Sequence, residues 1–186
     1  WNKCFRASIL KQMRNLTNPP TVLDDLAFHL LAYCDMHGKV VYVPGSYVRY
    51  MVRAGSIINS VNRGQVDSIC EAFREIRSQY EDARPELLPM LDAIAFLHLG
   101  VSLVFRLSST PDENVKEDIH EITEYLDDEF PTWRHSPYIN ASYVFPRGGA
   151  LLKLFIVQKI YKLHLMRFFL SIYSWMIENA HIDVKW

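Results

Sequence analysis

The chain has 186 residues, of which 49% are apolar and 22% charged, with a formal net charge of −1 at pH 7. Such a length and composition suit one globular chain with a sizeable core and exclude a disordered one. The near-balanced charge gives no reason to expect a nucleic-acid partner.

The first residues, Trp1 to Leu10, carry Lys3 and Arg6 and no acid. Pro19 and Pro20 follow, and consecutive prolines continue neither a helix nor a central strand, so this stretch is loop. Asp24 and Asp25 then stand before an apolar run, Leu26 to Tyr33, that predicts a helix ended by Gly38. Two chemistries suit an acid pair there. Asp caps unpaired helix amides and favours the positive helix end, and an ionised carboxylate at a helix entrance also serves as a general base. The run Lys39 to Pro44 is β-branched and stopped by Pro44-Gly45, and Ser46 to Ile57 is a second strand candidate. A strand pair beside a helix is therefore expected in the N-terminal third, followed by helices.

Those helices announce themselves by spacing. Val66, Ile69, Cys70, Phe73, Ile76 and Tyr80 define one buried face. From Ala93 to Phe105 the only ionisable residue is His98, so this helix is expected to be central, though too short for a bilayer span. Thr110 and Pro111 mark a restart, and Val115, Ile119, Ile122, Leu126 and Phe130 form a stripe opposite many acids. Phe130 to Asn140 breaks that helix. The tail, Leu151 to Ile177, is apolar but punctuated by cations, and its polar stripe shifts near Lys162, which predicts a bend or two helices.

Charge is segregated. Asp112 to Glu129 holds nine acids against one Lys, whereas Arg147 to Arg167 holds five Lys or Arg and no acid. Solvated faces and internal complementarity account for this, and so does contact of residues 151–177 with an anionic membrane surface. Cys4, Cys34 and Cys70 show neither CxxC nor Cys/His ligand spacing, which fits reduced thiols in the cytoplasm. No secretory leader pattern is present, and a chain that begins at Trp1 is expected to be a piece of a longer protein. The seven histidines show no repeated ligand spacing, and the adjacent acids of Leu126 to Phe130 follow no strand, so no metal site is expected within the chain.

Four segments in order carry a resemblance: Trp1 to Arg6 (WNKCFR), Asp24-Asp25 opening an apolar helix, Val40 to Pro44, and Tyr47 to Ile57 with its Arg53-Ala-Gly-Ser. Together with Trp133 to Ile139 they resemble the C-terminal half of bacterial family 2 glycosyltransferases of the GT-A fold. The resemblance implies an α+β, mainly α chain. Residues 1–60 would be the acceptor side of a GT-A catalytic domain and residues 61–186 a helical C-terminal domain.

It also implies roles. Asp25 matches the aspartate that acts as catalytic base on the acceptor hydroxyl, with Asp24 beside it as cap or orienting acid. Arg53 matches a residue at the donor diphosphate, and Trp1, Asn2 and Lys3 match the acceptor side. The family's nucleotide-binding βαβ half and its Asp-x-Asp metal motif have no counterpart in this sequence. A nucleotide-sugar and a divalent cation (Mn or Mg) are thus expected only in the full-length enzyme, and this chain alone is expected to be inactive. The implied acceptor is a sugar or lipid-linked sugar in cell-surface polysaccharide synthesis, at the cytoplasmic face of the membrane. A second reading stands beside this one: a non-catalytic helical module for interaction or homo-oligomerisation.

Overall fold

The structure, a computed structural model, describes residues 3–49, 61–108 and 114–180. Of the described residues 72% are helical, and none lies in a strand. The protein is therefore all-helical, and the expected α+β class with a short strand pair is corrected.

The reason is visible at residues 39–49. Val40, Val41, Tyr42 and Val43 are 61–84% exposed, and no strand lies against them among the described residues. β-Branched residues favour a strand only where a partner ladder and a half-buried pleated face receive them. Beyond them, the Tyr47 hydroxyl folds back and donates to the Pro44 carbonyl at 2.8 Å. Gly45, at φ +141°, permits this: a Cβ there would sit 2.7 Å from the Tyr47 ring. A local turn thus occupies the start of the second expected strand, and its continuation over residues 50–57 lies outside the described residues.

The chain forms two compact units, Trp1–Asn59 with Arg63–Pro85, and Ser60–Asn62 with Glu86–Trp186. The first contains α1 (Ala7–Gln12), α2 (Asp24–Cys34) and α3 (Arg63–Ala83). Helix α2 ends at Cys34, before the expected Gly38, with Asp35 as its C-terminal cap residue. Its Ala27, Leu30 and Leu31 are buried, as are Val66, Ile69, Phe73, Ile76 and Tyr80 of α3, so two amphipathic helices supply most of this core. Hydrogen bonds lock the pairing. The Tyr80 hydroxyl donates to the Leu30 carbonyl at 2.8 Å, and Arg84 donates to the Met36 carbonyl. The proline-bearing loop is tied to α3 by polar groups instead: both Glu75 oxygens accept from the Thr17 amide at 3.0 Å, and Arg14 bridges Asp35 and Asp82.

A continuous helix, Pro85–Ser108, supplies the second unit from Glu86 onward; it is made of a 3-10 turn (Pro85–Leu87), α4 (Leu88–Ala95), a π-helical stretch (Phe96–Leu103) and α5 (Val104–Ser108). It is longer than the 93–105 run suggests, and by length and composition it reaches the span of a membrane. Here it is the core: Leu91, Phe96, Leu99, Val101, Leu103 and Leu107 are buried. Packed on it are α6 (Val115–Glu129), two 3-10 turns (Pro131–His135 and Pro137–Ile139) and α8 (Gly149–Lys162). The remaining helices of this unit are α7 (Ala141–Val144) and α9 (Met166–Ala180). Gly100 is required by close approach, because a Cβ would lie 2.7 Å from the Phe96 ring and 3.1 Å from Leu126. Trp133 stacks on Phe96 at 4.6 Å between centroids, and Tyr161 meets both edge-on.

Polar groups hold the 3-10 turns in place. Buried Asp92 accepts from the amide and hydroxyl of Thr132, and buried Gln158 donates to the Trp133 carbonyl. The expected bend near Lys162 is a break between α8 and α9, with His164 at φ 56°.

Candidate functional site

The proposed acid pair sits in the first turn of α2. Asp24 and Asp25 are its first two residues, so neither precedes the helix as its cap; that position belongs to Leu23, which makes no side-chain cap bond. Leu23 has φ 63°, left-handed backbone that a branched side chain adopts at a cost of about 1 kcal/mol or more. The kink directs the chain abruptly into the helix just before the two carboxylates. Both are exposed, and one Asp25 oxygen accepts from the Leu26 amide at 2.8 Å. That bond fixes the orientation of the carboxylate at the positive helix end.

A second group lies one helical turn further. His29 follows Asp25 by four residues, on the same face of α2. Burial is the main cause that lowers its pKa below 6.5, with the Lys3 charge adding to this and the Asp25 charge opposing it. Phe5 stacks on the His29 ring at 5.8 Å and meets Phe28 edge-on at 5.5 Å, with Tyr33 at 6.3 Å. These four rings are half-buried, so the face beside Asp25 is an aromatic platform open on one side. Such a surface stacks on the apolar faces of sugar rings while a carboxylate engages their hydroxyls.

Lys3, Asp24 and Asp25 are thereby placed in one unit, with Lys3 and Asp25 both acting on His29. Trp1, Asn2 and Arg53 lie outside the described residues. Metal-ligand spacing passes over His29, whose available signal is its i+4 offset from Asp25. Phe28 and Tyr33 read from the sequence as part of a largely buried helix. Only the tertiary packing of Phe5 on α2 assembles them into a half-open face.

The other acid pair has a structural role. Asp127 accepts from both Nε and Nη2 of Arg134 at 2.7 Å and from the Trp133 indole at 2.8 Å. The Arg134 hydrogen bond is the largest cause lowering the Asp127 pKa below its ordinary value. Among the described residues, no cluster of three or more His, Cys, Asp or Glu is placed to hold a metal ion. Compared with protein-family models, with curated proteins and with solved structures, the chain matches none.

Proposed function

We propose that this chain is the C-terminal part of an inverting glycosyltransferase, supplying the base and the acceptor wall for transfer from a nucleotide-sugar to a hydroxyl. The observation that carries the reading is the placement of Asp25: exposed, in the first turn of α2, one oxygen tied to the Leu26 amide, beside an aromatic and histidine platform. The ordered resemblance of residues 1–57 supports it independently.

In this mechanism the acceptor hydroxyl gives its proton to Asp25 as its oxygen forms a bond to the anomeric carbon. The bond from that carbon to the donor diphosphate breaks from the opposite face, and the nucleoside diphosphate leaves with the electron pair. Arg53 pairs with diphosphate oxygens, a task suited to its planar fork. By the resemblance Trp1, Asn2 and Lys3 belong to the acceptor side, and Asp24 reinforces the negative charge at the helix start. The charge of the diphosphate would be neutralised by a divalent cation, Mn or Mg, whose ligands would lie in the nucleotide-binding half of the longer enzyme. The acceptor is a sugar or lipid-linked sugar, met in the cytoplasm at the membrane's inner face.

Asp25→Asn tests the proposal in that longer protein. Asparagine keeps an oxygen for the Leu26 amide and removes only the ionisable group. Transfer is expected to fall by about a hundredfold or more, within the range for loss of a general base, with an unchanged circular dichroism spectrum. Turnover at the original rate would remove Asp25 as base. It would favour the rival reading of a non-catalytic helical module for interaction or oligomerisation.

A further inference from the structure

The last two helices are built inside out along one stripe each. On α8 Leu152, Ile156 and Lys159, with the cap residue Leu163, are exposed at helical spacing, while the polar Gln158 is buried, as are Leu154, Val157 and Tyr161. On α9, Phe168, Ile172 and Trp175 repeat the pattern, with Phe168 66% and Trp175 61% exposed, while Met166 and Leu170 point inward. Leu163 and Leu165, both exposed, join the two stripes across the break at His164. Soluble surfaces carry single apolar residues without consequence, but a run of large ones at fixed helical offsets is a face that something covers.

Charge identifies the occupant. From Arg147 to Ile177 the chain holds Arg147, Lys153, Lys159, Lys162 and Arg167 and no acid. Lys159 lies in the α8 stripe with its ammonium 4.6 Å from the Phe155 ring centroid, and Lys153 and Lys162 fall about a quarter turn to either side. Arg167 flanks the α9 stripe and is exposed. Long cationic side chains at the margins of an apolar stripe rise to headgroup level while the stripe enters the acyl boundary, and Phe and Trp settle at that depth. A second copy fits poorly, because a two-fold contact would set the cations Lys159 and Arg167 of this face against their own copies.

We propose that α8 and α9 form a docking surface for an anionic lipid bilayer, lying in its interface rather than crossing it. The inference stands on exposure and charge and is independent of the glycosyltransferase reading. The surface potential of anionic lipid attracts each nearby cation, and the apolar stripes then hold the chain at the interface.

The test is co-sedimentation of the 186-residue chain with phosphatidylglycerol–phosphatidylcholine vesicles and with phosphatidylcholine vesicles, at low and high salt. Binding to the anionic vesicles alone is expected, weakening with salt, with a blue shift of the Trp175 emission that is lost in Trp175→Phe. Phe168→Ser with Trp175→Ser, both at exposed positions, should weaken partitioning by about tenfold or more. Lys159→Glu with Arg167→Glu should weaken it by a similar factor of about ten. Circular dichroism checks that each variant keeps its helices. The proposal is overturned by absence of binding to anionic vesicles, or by binding that neither variant weakens. It is equally overturned if sedimentation shows a dimer that the double variant at Phe168 and Trp175 dissociates.

Discussion

The two units use the same helical building material to different ends. In the first, α2 and α3 share a modest core joined by the Tyr80 hydroxyl on the Leu30 carbonyl, and the proline-bearing loop is held by carboxylates: Glu75 on the Thr17 amide, Asp35 and Asp82 on Arg14. In the second, a long apolar helix is enclosed on several sides, and stacked aromatics fill the gap between it and the 3-10 turns. Polar fastening is directional but adds little per bond, since each replaces a bond to water. Aromatic burial adds more and tolerates less change. The first unit accordingly presents its chemistry outward, whereas the second keeps its stacked aromatics inside and offers an acidic exterior along α6 and an apolar, cationic one along α8 and α9.

The sharpest way to break that contrast is Trp133→Ala. It removes a fully buried ring from between Phe96 and Tyr161, so denaturant unfolding should show a loss of about 3–5 kcal/mol. Gly100→Ala should come next. The added methyl meets the Phe96 ring and Leu126 in a filled space, and overpacking of this kind costs about 1–3 kcal/mol despite alanine's better helix propensity.

The first unit's counterpart is Tyr80→Phe. It leaves the buried Leu30 carbonyl without its hydroxyl donor, for a loss of about 1 kcal/mol read by the same melts.

Acid titration separates the units further. Burial holds the His29 pKa below its ordinary value, so the unfolded chain binds its proton first. Stability from that source is complete above about pH 6.5 and lost as pH falls through the lower folded value. His29→Gln should flatten the slope of unfolding free energy just below neutrality. Asp127, held below the usual carboxylate range chiefly by Arg134, contributes stability that is lost only in stronger acid, as pH falls below about 4. Asp127→Asn should flatten that lower limb and leave the neutral one unchanged. The smallest effect belongs to Val41→Lys: a residue exposed to this degree should shift stability by no more than about 0.5 kcal/mol.

Much of the helical architecture is legible in the order of residues. The α3 face through Ile69, Phe73, Ile76 and Tyr80, the α6 residues Ile122 and Leu126, and the break near Lys162 all follow from repeats within a single helix. The expected strand pair fails for a matching reason: valines at 40, 41 and 43 report what the chain would accept beside a partner, and the described residues place none there. At the candidate site the Asp24-Asp25 entrance is visible in the sequence, and the platform of Phe5, Phe28, His29 and Tyr33 is not. Phe5 reaches α2 from a separate segment, and no spacing rule joins the two.

Periodicity, charge runs and turn residues by themselves determined where helices run and which faces are apolar, because backbone hydrogen bonds within a helix close over a few residues. Tertiary structure alone decided which apolar faces are used. It buried Gln158 and Asp92 while leaving Phe168 and Trp175 outside, and it left the valine-rich run at 40–43 exposed. Those outcomes depend on contacts between residues far apart in the chain, whose free energy no local pattern encodes.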